Sequence, residues 1–445
     1  MKHALRMLGV SLLAAMAAGL LAPARAADVR VGVTDGALTR SIEQAAPGDR
    51  LLLSPGVHKG GLVINKPLAI EGEAGAIVDA GGEGSVFKIF SGNVAIKNLT
   101  IRGSGTKGEN FDSGIYVEKG ADTPVIEGNT IQGNLFGIVL HGCKDALVKG
   151  NVIANRSDLW LNDRGNGIHI WNNTGARIEG NRVKGGRDGI YIEASHQNVI
   201  HANRFEELRF AIHYMYANAN EVSDNVSIHN RVGFALMYSK AIKVMRNVSV
   251  GDLQHGLMLH TTYKSEIFDN YVYGTGEKCL FIYTSASNSI HGNRLEQCGI
   301  GVHFTGGSEN NKFYGNAFLS NETQVKYTGL KVYEWSDAGK GNYWSDHTAF
   351  DLDGNGVADA AYRPNTLADW LLWKYPLAKL LISSPALQTL RFVQEQLPAL
   401  YPGGAIDSFP LMLPPSLPVP LPEGVDLTPA PRDPAQEGSD SRFLM

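Results

Sequence analysis

GIYIEASHQNVIHAN, Gly189 to Asn203, is one of nine copies of a single phrase that fills Asp112 to Asn321. Each copy has an alternating apolar segment, then a polar turn, one more apolar residue and an asparagine. The asparagines are Asn129, Asn151, Asn181, Asn203, Asn225, Asn247, Asn270, Asn293 and Asn316, spaced 22, 30, 22, 22, 22, 23, 23 and 23 residues apart. Alternate strand residues point to opposite faces, so the inward pairs run Ile115/Val117, Ile138/Leu140, Ile168/Ile170, Ile190/Ile192, Ile212/Tyr214, Phe234/Leu236, Leu257/Leu259, Leu280/Ile282 and Val302/Phe304. All are apolar or aromatic. A second column in the same register runs Ile126, Val148, Ile178, Ile200, Val222, Val244, Ile267, Ile290 and Phe313.

Short alternating strands at this period bury their apolar faces only by stacking. The expected fold is all-β: a right-handed parallel β-helix of the pectin-lyase-like kind, with an N-terminal helical cap and a C-terminal helical extension. A leucine-rich repeat has a similar period, but its leucine consensus and helical return are absent. The periodic asparagine reads as structural, because it tolerates the left-handed conformation of a tight corner and its amide can form a ladder.

Working outward, Met1 to Ala26 reads as a secretory leader: Lys2 and Arg6 precede an apolar run, and Ala24-Arg25-Ala26 offers a cleavage site. The mature protein is expected to be soluble and exported. Removing the leader moves the net charge from −4 to −7, since it carries Lys2, Arg6 and Arg25 and no acid. A mildly acidic chain without a basic run does not suit nucleic acid. Residues 27–111 read as a cap and irregular early coils, with a short helix over Asp35 to Ala46. Cys143, Cys279 and Cys298 are too few for a disulfide framework, and Cys279 and Cys298 fall at different phases of the repeat, which favours buried free thiols.

The 30-residue spacing contains an insertion, Ser157 to Arg164, carrying Trp160. Loops of this kind serve recognition or pack back on the coil; both stay open. Residues 322–365 form a C-terminal cap. Within it Asp351, Asp353, Asn355 and Asp359 follow the start of a calcium loop with glycine at its sixth place, although the glutamate of the twelfth place is missing. Structural calcium is favoured there over an acidic Asx-turn cap. Residues 366–408 read as two helices broken near Ser384-Pro385, with Trp370, Leu371, Trp373, Leu377, Leu380 and Leu381 as an apolar docking group. Proline-rich residues 409–445 read as a disordered or wrapping tail.

The outward columns carry the chemistry. The first runs Tyr116, Val139, His169, Tyr191, His213, Ala235, Met258, Phe281, His303. The second runs Glu118, His141, Trp171, Glu193, Met215, Met237, His260, Tyr283, Thr305. Five histidines and three methionines stand where solvated side chains are expected. Thioether and imidazole suit Cu(I), and Met215, Met237 and His260 share one position in three consecutive coils. The same strip, with His169, His213, Met258 and His303, equally suits a partner surface. A glycoside-cleaving or uronate-modifying enzyme is the rival, but Glu118 and Glu193 stand three coils apart, on the order of 14 Å, too far for a carboxyl pair. Arg187, Arg209 and Arg231 recur every 22 residues as a ladder awaiting an anion or acidic partner unless Glu206 and Glu207 neutralise it.

The leader, the helix-capped start, the coils, RFAIHYMYANANEVSDN (Arg209 to Asn225) and the closing GNYWSD and DLDGNGVAD segments together resemble the NosD family, over nearly the whole chain. The resemblance implies a non-enzymatic periplasmic protein that works with an ABC transporter in maturing nitrous oxide reductase, delivering copper, or copper together with sulfur. It also implies three partners: the transporter's membrane subunit, met by the C-terminal helices, a copper chaperone lipoprotein and the reductase itself.

Overall fold

The computed structural model describes residues 26–381, 384–397, 400–416, 419–421 and 424–429. The expected leader and residues 430–445 lie outside them. Three parallel sheets of 13, 12 and 13 strands run the length of a solenoid, each strand pairing with its equivalent one coil away. The register is the one the repeat dictates. Ile115 pairs with Ile138, Ile190 with Ile212, and Ile126 with Val148. Both inward columns are almost fully buried in one continuous core, and each such side chain contributes about 1.5–3 kcal/mol.

The coils extend beyond the nine copies on both sides. Strands at Asp28–Val31, Gly56–Lys59, Ala76–Asp79 and Thr100–Arg102 make the N-terminal region regular β-helix rather than irregular. Helix α1, Ala37–Gln44, closes the first coils with Leu38 and Ile42 buried. Beyond the repeat, Thr323–Lys326 and Tyr343–Trp344 add further strands, and Trp335 and Trp344 plug the core's end.

The asparagine column is a hydrogen-bonded ladder. Asn203 donates from its backbone N and from Nδ2 to Oδ1 of Asn225, both at 3.0 Å, and Asn225 does the same to Asn247. The left-handed corner, however, falls one residue earlier. Gly128, Gly150, Gly180, Ala202, Asp224, Arg246, Asp269, Gly292 and Gly315 take positive φ, so the ladder asparagine is chosen for its amide and its neighbour for the turn. The ladder continues past Asn316 to Asn342.

At the C-terminal end, α2 (Leu367–Lys374) starts with a Thr366/Asp369 capping box, and α3 (Pro385–Gln396) starts at Ser384 with Pro385 in its first turn. Both starts satisfy N–H groups that a helix leaves open. Trp370 Nε1 donates to the Thr328 carbonyl, and Asn365 Nδ2 to that of Val325, which fixes α2 to the last coil. Gly404–Ile406, inside the segment expected to be helical, is a strand paired with Val332–Glu334. The tail, where described, wraps rather than standing free: Val419 and Val425 cover Val226, Val248, Val250, Tyr271 and Tyr273 on the outside of the second 13-stranded sheet.

One expectation is corrected in the cysteines. Cys279 and Cys298 form a disulfide, while Cys143 is free and buried. Cys279 occupies a column held elsewhere by Ala211 and by Gly114, Gly137, Gly167, Gly189, Gly233, Gly256 and Gly301, and Cys298 occupies the corner before the next strand of the same sheet. Different phases of a linear repeat are adjacent once the coil closes.

Candidate functional site

The outward strip lies on the 12-stranded sheet, and its register matches the expected columns. Met215 pairs with Met237, Met237 with His260 and His260 with Tyr283; beside them His213 pairs with Ala235 and Ala235 with Met258. The expectation that this face is open to solvent fails. His169, His213, Met237, Met258, His260 and His303 are each 3–8 % exposed, and only Met215 of the proposed donors is half-buried. Large side chains spaced by one strand separation cover one another. His141 stacks on Trp171 at 4.4 Å, Tyr191 meets His213 edge-on at 5.1 Å, and His260 meets Tyr283 edge-on at 4.9 Å.

Burial sets the protonation of these rings. It pushes His169 down to about 4, with the Arg187 charge helping, and it lowers His260. Both are neutral imidazoles near pH 7, the form that binds a metal. Met215, Met237, Met258, Phe210, Val232, Ala235, Phe281 and Tyr283 form one apolar cluster outside the solenoid core.

Glu206 and Glu207 do not neutralise the arginine ladder. Glu206 pairs with Arg204 and Glu207 with Lys184. The carboxylate that matters is Asp188, fully buried at the strand start. It accepts from Arg209 Nε (2.8 Å) and Nη2 (2.7 Å) and from His213 Nδ1 (3.2 Å), with Arg187 Nε at 3.8 Å. Burial alone would raise its pKa, but His213 and Arg209 outweigh that and hold it at about 2. Arg231 instead donates to Gln254. Sequence reasoning passed over Asp188; the available signal was an acid in a start column otherwise reading Ser113, Phe136, Asn166, Phe210, Val232, His255, Lys278 and Ile300.

Trp160 is 86 % exposed. Its loop is held by Arg156 on Asp158 and by Arg164 on the carbonyls of Ser157 and Leu159, so the loop presents the ring instead of packing it.

In the Asp351 loop the carboxylates serve the chain itself. Asp351 accepts from the N–H groups of Gly354, Asn355 and Gly356, and Asp359 from that of Leu352; Asn355 Nδ2 donates to Asp353. Among the described residues no three His, Cys, Asp or Glu side chains converge as a metal cluster. Of the docking group, Trp370, Leu371 and Trp373 are half-buried against the cap, Leu377 and Leu380 are 85 % and 87 % exposed, and the Leu381 side chain lies outside the described residues. No described helix is long and apolar enough to cross a membrane.

Fold and strip define a parallel β-helix with soft nitrogen and sulfur donors gathered on one sheet. Solved structures support the fold alone. DFA-IIIase from Arthrobacter chlorophenolicus, without its lid, superposes with a TM-score of 0.53 at 16 % identity, over 67 % of this chain and 98 % of that one. The Dettilon tailspike protein gives 0.50 at 18 % identity, over 61 % and 65 %. Residues 155–349 match the family model "Periplasmic copper-binding protein (NosD)". A curated Pseudomonas aeruginosa protein, "Probable ABC transporter binding protein NosD", is 40 % identical over 82 % of this chain and 89 % of its own. A Stutzerimonas stutzeri protein of the same description is 37 % identical over 82 % and 87 %. The chain belongs to the NosD family.

Proposed function

We propose that this protein is a periplasmic accessory subunit of an ABC transporter complex that handles Cu(I), and with it sulfur in some form, during maturation of nitrous oxide reductase, without catalysing a reaction itself. The observation that carries the reading is the in-register row Met215, Met237, His260 on the 12-stranded sheet, its histidine kept neutral by burial. Thioethers and a neutral imidazole hold Cu(I) in preference to harder ions. Copper is cargo here, received from a chaperone lipoprotein and passed to the reductase.

Exposed Leu377 and Leu380 fit contact with the transporter's membrane subunit, which would leave the protein membrane-associated through its partner. Trp160 adds a rigidly presented aromatic of the kind that dominates binding energy at protein interfaces. The absence of a close carboxyl pair on the strip speaks against sugar chemistry: Glu118 is engaged with His141, and Glu193 with Tyr191.

An anaerobic Cu(I) titration against a competing chelator tests the reading, comparing the mature protein with the triple variant Met215→Ala, Met237→Ala, His260→Ala. Binding by the wild type, lost in the variant, is expected. A wild type that leaves all copper with the chelator would remove the cargo role from the isolated subunit.

A further inference from the structure

We infer that Cu(I) is anchored at a cup over Ala235, with His213 Nε2 and Met258 Sδ as the primary donors, and that Asp188 is the residue that positions His213. The inference rests on the copper-handling reading above, and it moves the anchor from the Met215–Met237–His260 row to the neighbouring column.

The first observation is an unpartnered nitrogen. His213 is 8 % exposed, and its Nε2 is buried with no hydrogen-bond partner. A buried polar atom left unsatisfied costs about 1–3 kcal/mol, so a ring kept this way calls for a role. The tautomer follows from the other side of the ring. Asp188 is clamped as an acceptor by two Arg209 N–H donors, one on each oxygen, so Nδ1 carries the proton of the 3.2 Å bond. In the neutral ring that leaves the lone pair on Nε2. A histidine whose far nitrogen is fixed by a carboxylate is the usual arrangement behind a metal-ligating imidazole. Arg209 holds Asp188 by two bonds, and Phe210 stacks on the His213 ring at 4.5 Å, so the ring cannot readily turn.

The second observation is the column. His213, Ala235 and Met258 are its successive members, about 4.8 Å apart, and Ala235, itself fully buried, interposes only a Cβ between the imidazole and the thioether. Met237, two residues along the same strand from Ala235, stands at the cup's side as a third soft donor. Phe210, Val232 and Phe281 supply apolar walls. Exposure grades inward from half-buried Met215 to Met237 at 8 % and Met258 at 3 %. Met215 is thus the donor that an incoming ion reaches first.

The test uses the mature full chain, loaded anaerobically with Cu(I) against a chelator, with the copper neighbours counted by X-ray absorption and the His213 ring followed by 15N NMR. One nitrogen and at least one sulfur neighbour are expected, and Nε2, not Nδ1, should shift on loading. His213→Ala and the volume-conserving Met258→Leu should each weaken binding at least about tenfold. Asp188→Asn should weaken it about 10–100-fold while the ring resonances move toward the other tautomer, which loss of packing alone would not produce. If Met258→Leu folds and binds as the wild type does while the triple variant at Met215, Met237 and His260 loses copper, this inference is overturned and the copper-handling reading stands. If the wild type binds nothing, both fall together.

Discussion

Asp407 caps the asparagine ladder. Its Oδ2 accepts from the backbone N of Asn342 at 2.7 Å, from Asn342 Nδ2 at 3.2 Å and from Trp344 Nε1 at 2.8 Å, and all three residues are buried. The last rung of a column of asparagines has donors and no further coil to receive them. The chain returns after its helices to supply the acceptor.

Asp407→Ala should therefore leave buried donors unpaired and cost about 3 kcal/mol, whereas Asp407→Asn, which keeps an acceptor, should cost far less. In a solenoid whose repeats contact only their neighbours, the loss should show as faster amide exchange in the final coils and unchanged exchange near residue 130. Uniform acceleration along the whole chain would contradict the capping role.

Asp252 should make the protein less stable as pH rises. It is fully buried, and burial pushes it up to about 7 against the hydrogen bonds of Ser249, Ser227 and Asn230, which lower it. The unfolded carboxyl loses its proton near pH 4 and the folded one near pH 7. Folding stability is therefore full below pH 4 and declines between those values. Asp252→Asn, which places there the neutral amide that Asn230 carries one coil earlier, should raise stability at pH 7–8 by on the order of 2 kcal/mol and lose that advantage below pH 4. Unfolding curves across that range decide the matter, and a variant advantage that grew in acid would contradict the assignment.

Non-reducing peptide mapping should recover Cys279 linked to Cys298 and Cys143 as a free thiol. Closing a loop of sequence separation 19 is worth about 3 kcal/mol in the chain-entropy account, so the Cys279→Ser, Cys298→Ser variant should unfold earlier by that order. Burial pushes the Cys143 thiol up to about 12, and alkylating reagents should leave it unmodified until the chain unfolds.

Calcium should matter little to the Asp351 loop. Both Asp351 oxygens are already taken by N–H groups of the turn. Chelation with EGTA is expected to leave the Tm within about 1 °C, as is usual where no buried feature is lost; a fall of several degrees would establish a structural ion.

The solenoid, its register and the two inward columns were legible because a parallel β-helix repeats its pattern in the sequence itself. Ile126 over Val148 over Ile178 is visible without coordinates. What stayed hidden arises when the coil closes. Cys279 and Cys298 look out of phase until a corner brings them together, and Asp188 meets His213 from a strand one coil away. Exposure also misled. An outward side chain need not be solvated, because rings as wide as the strand spacing shield each other, as His141 and Trp171 do. The positive φ of the corner belongs to residues such as Gly128 and Asp224 and not to the asparagine that follows, a distinction the repeat hides because turn and ladder are adjacent positions with similar residue preferences.

The ladder also has a direction. From Asn151 to Asn342 every rung's Oδ1 accepts from the rung on its N-terminal side, while each Nδ2 from Asn129 to Asn316 donates both forward to the next Oδ1 and back to a carbonyl of the preceding coil. Each rung is thus braced on both neighbouring coils at once, and the row can be extended at its C-terminal end only by a group that accepts, which is what the Asp407 carboxyl supplies.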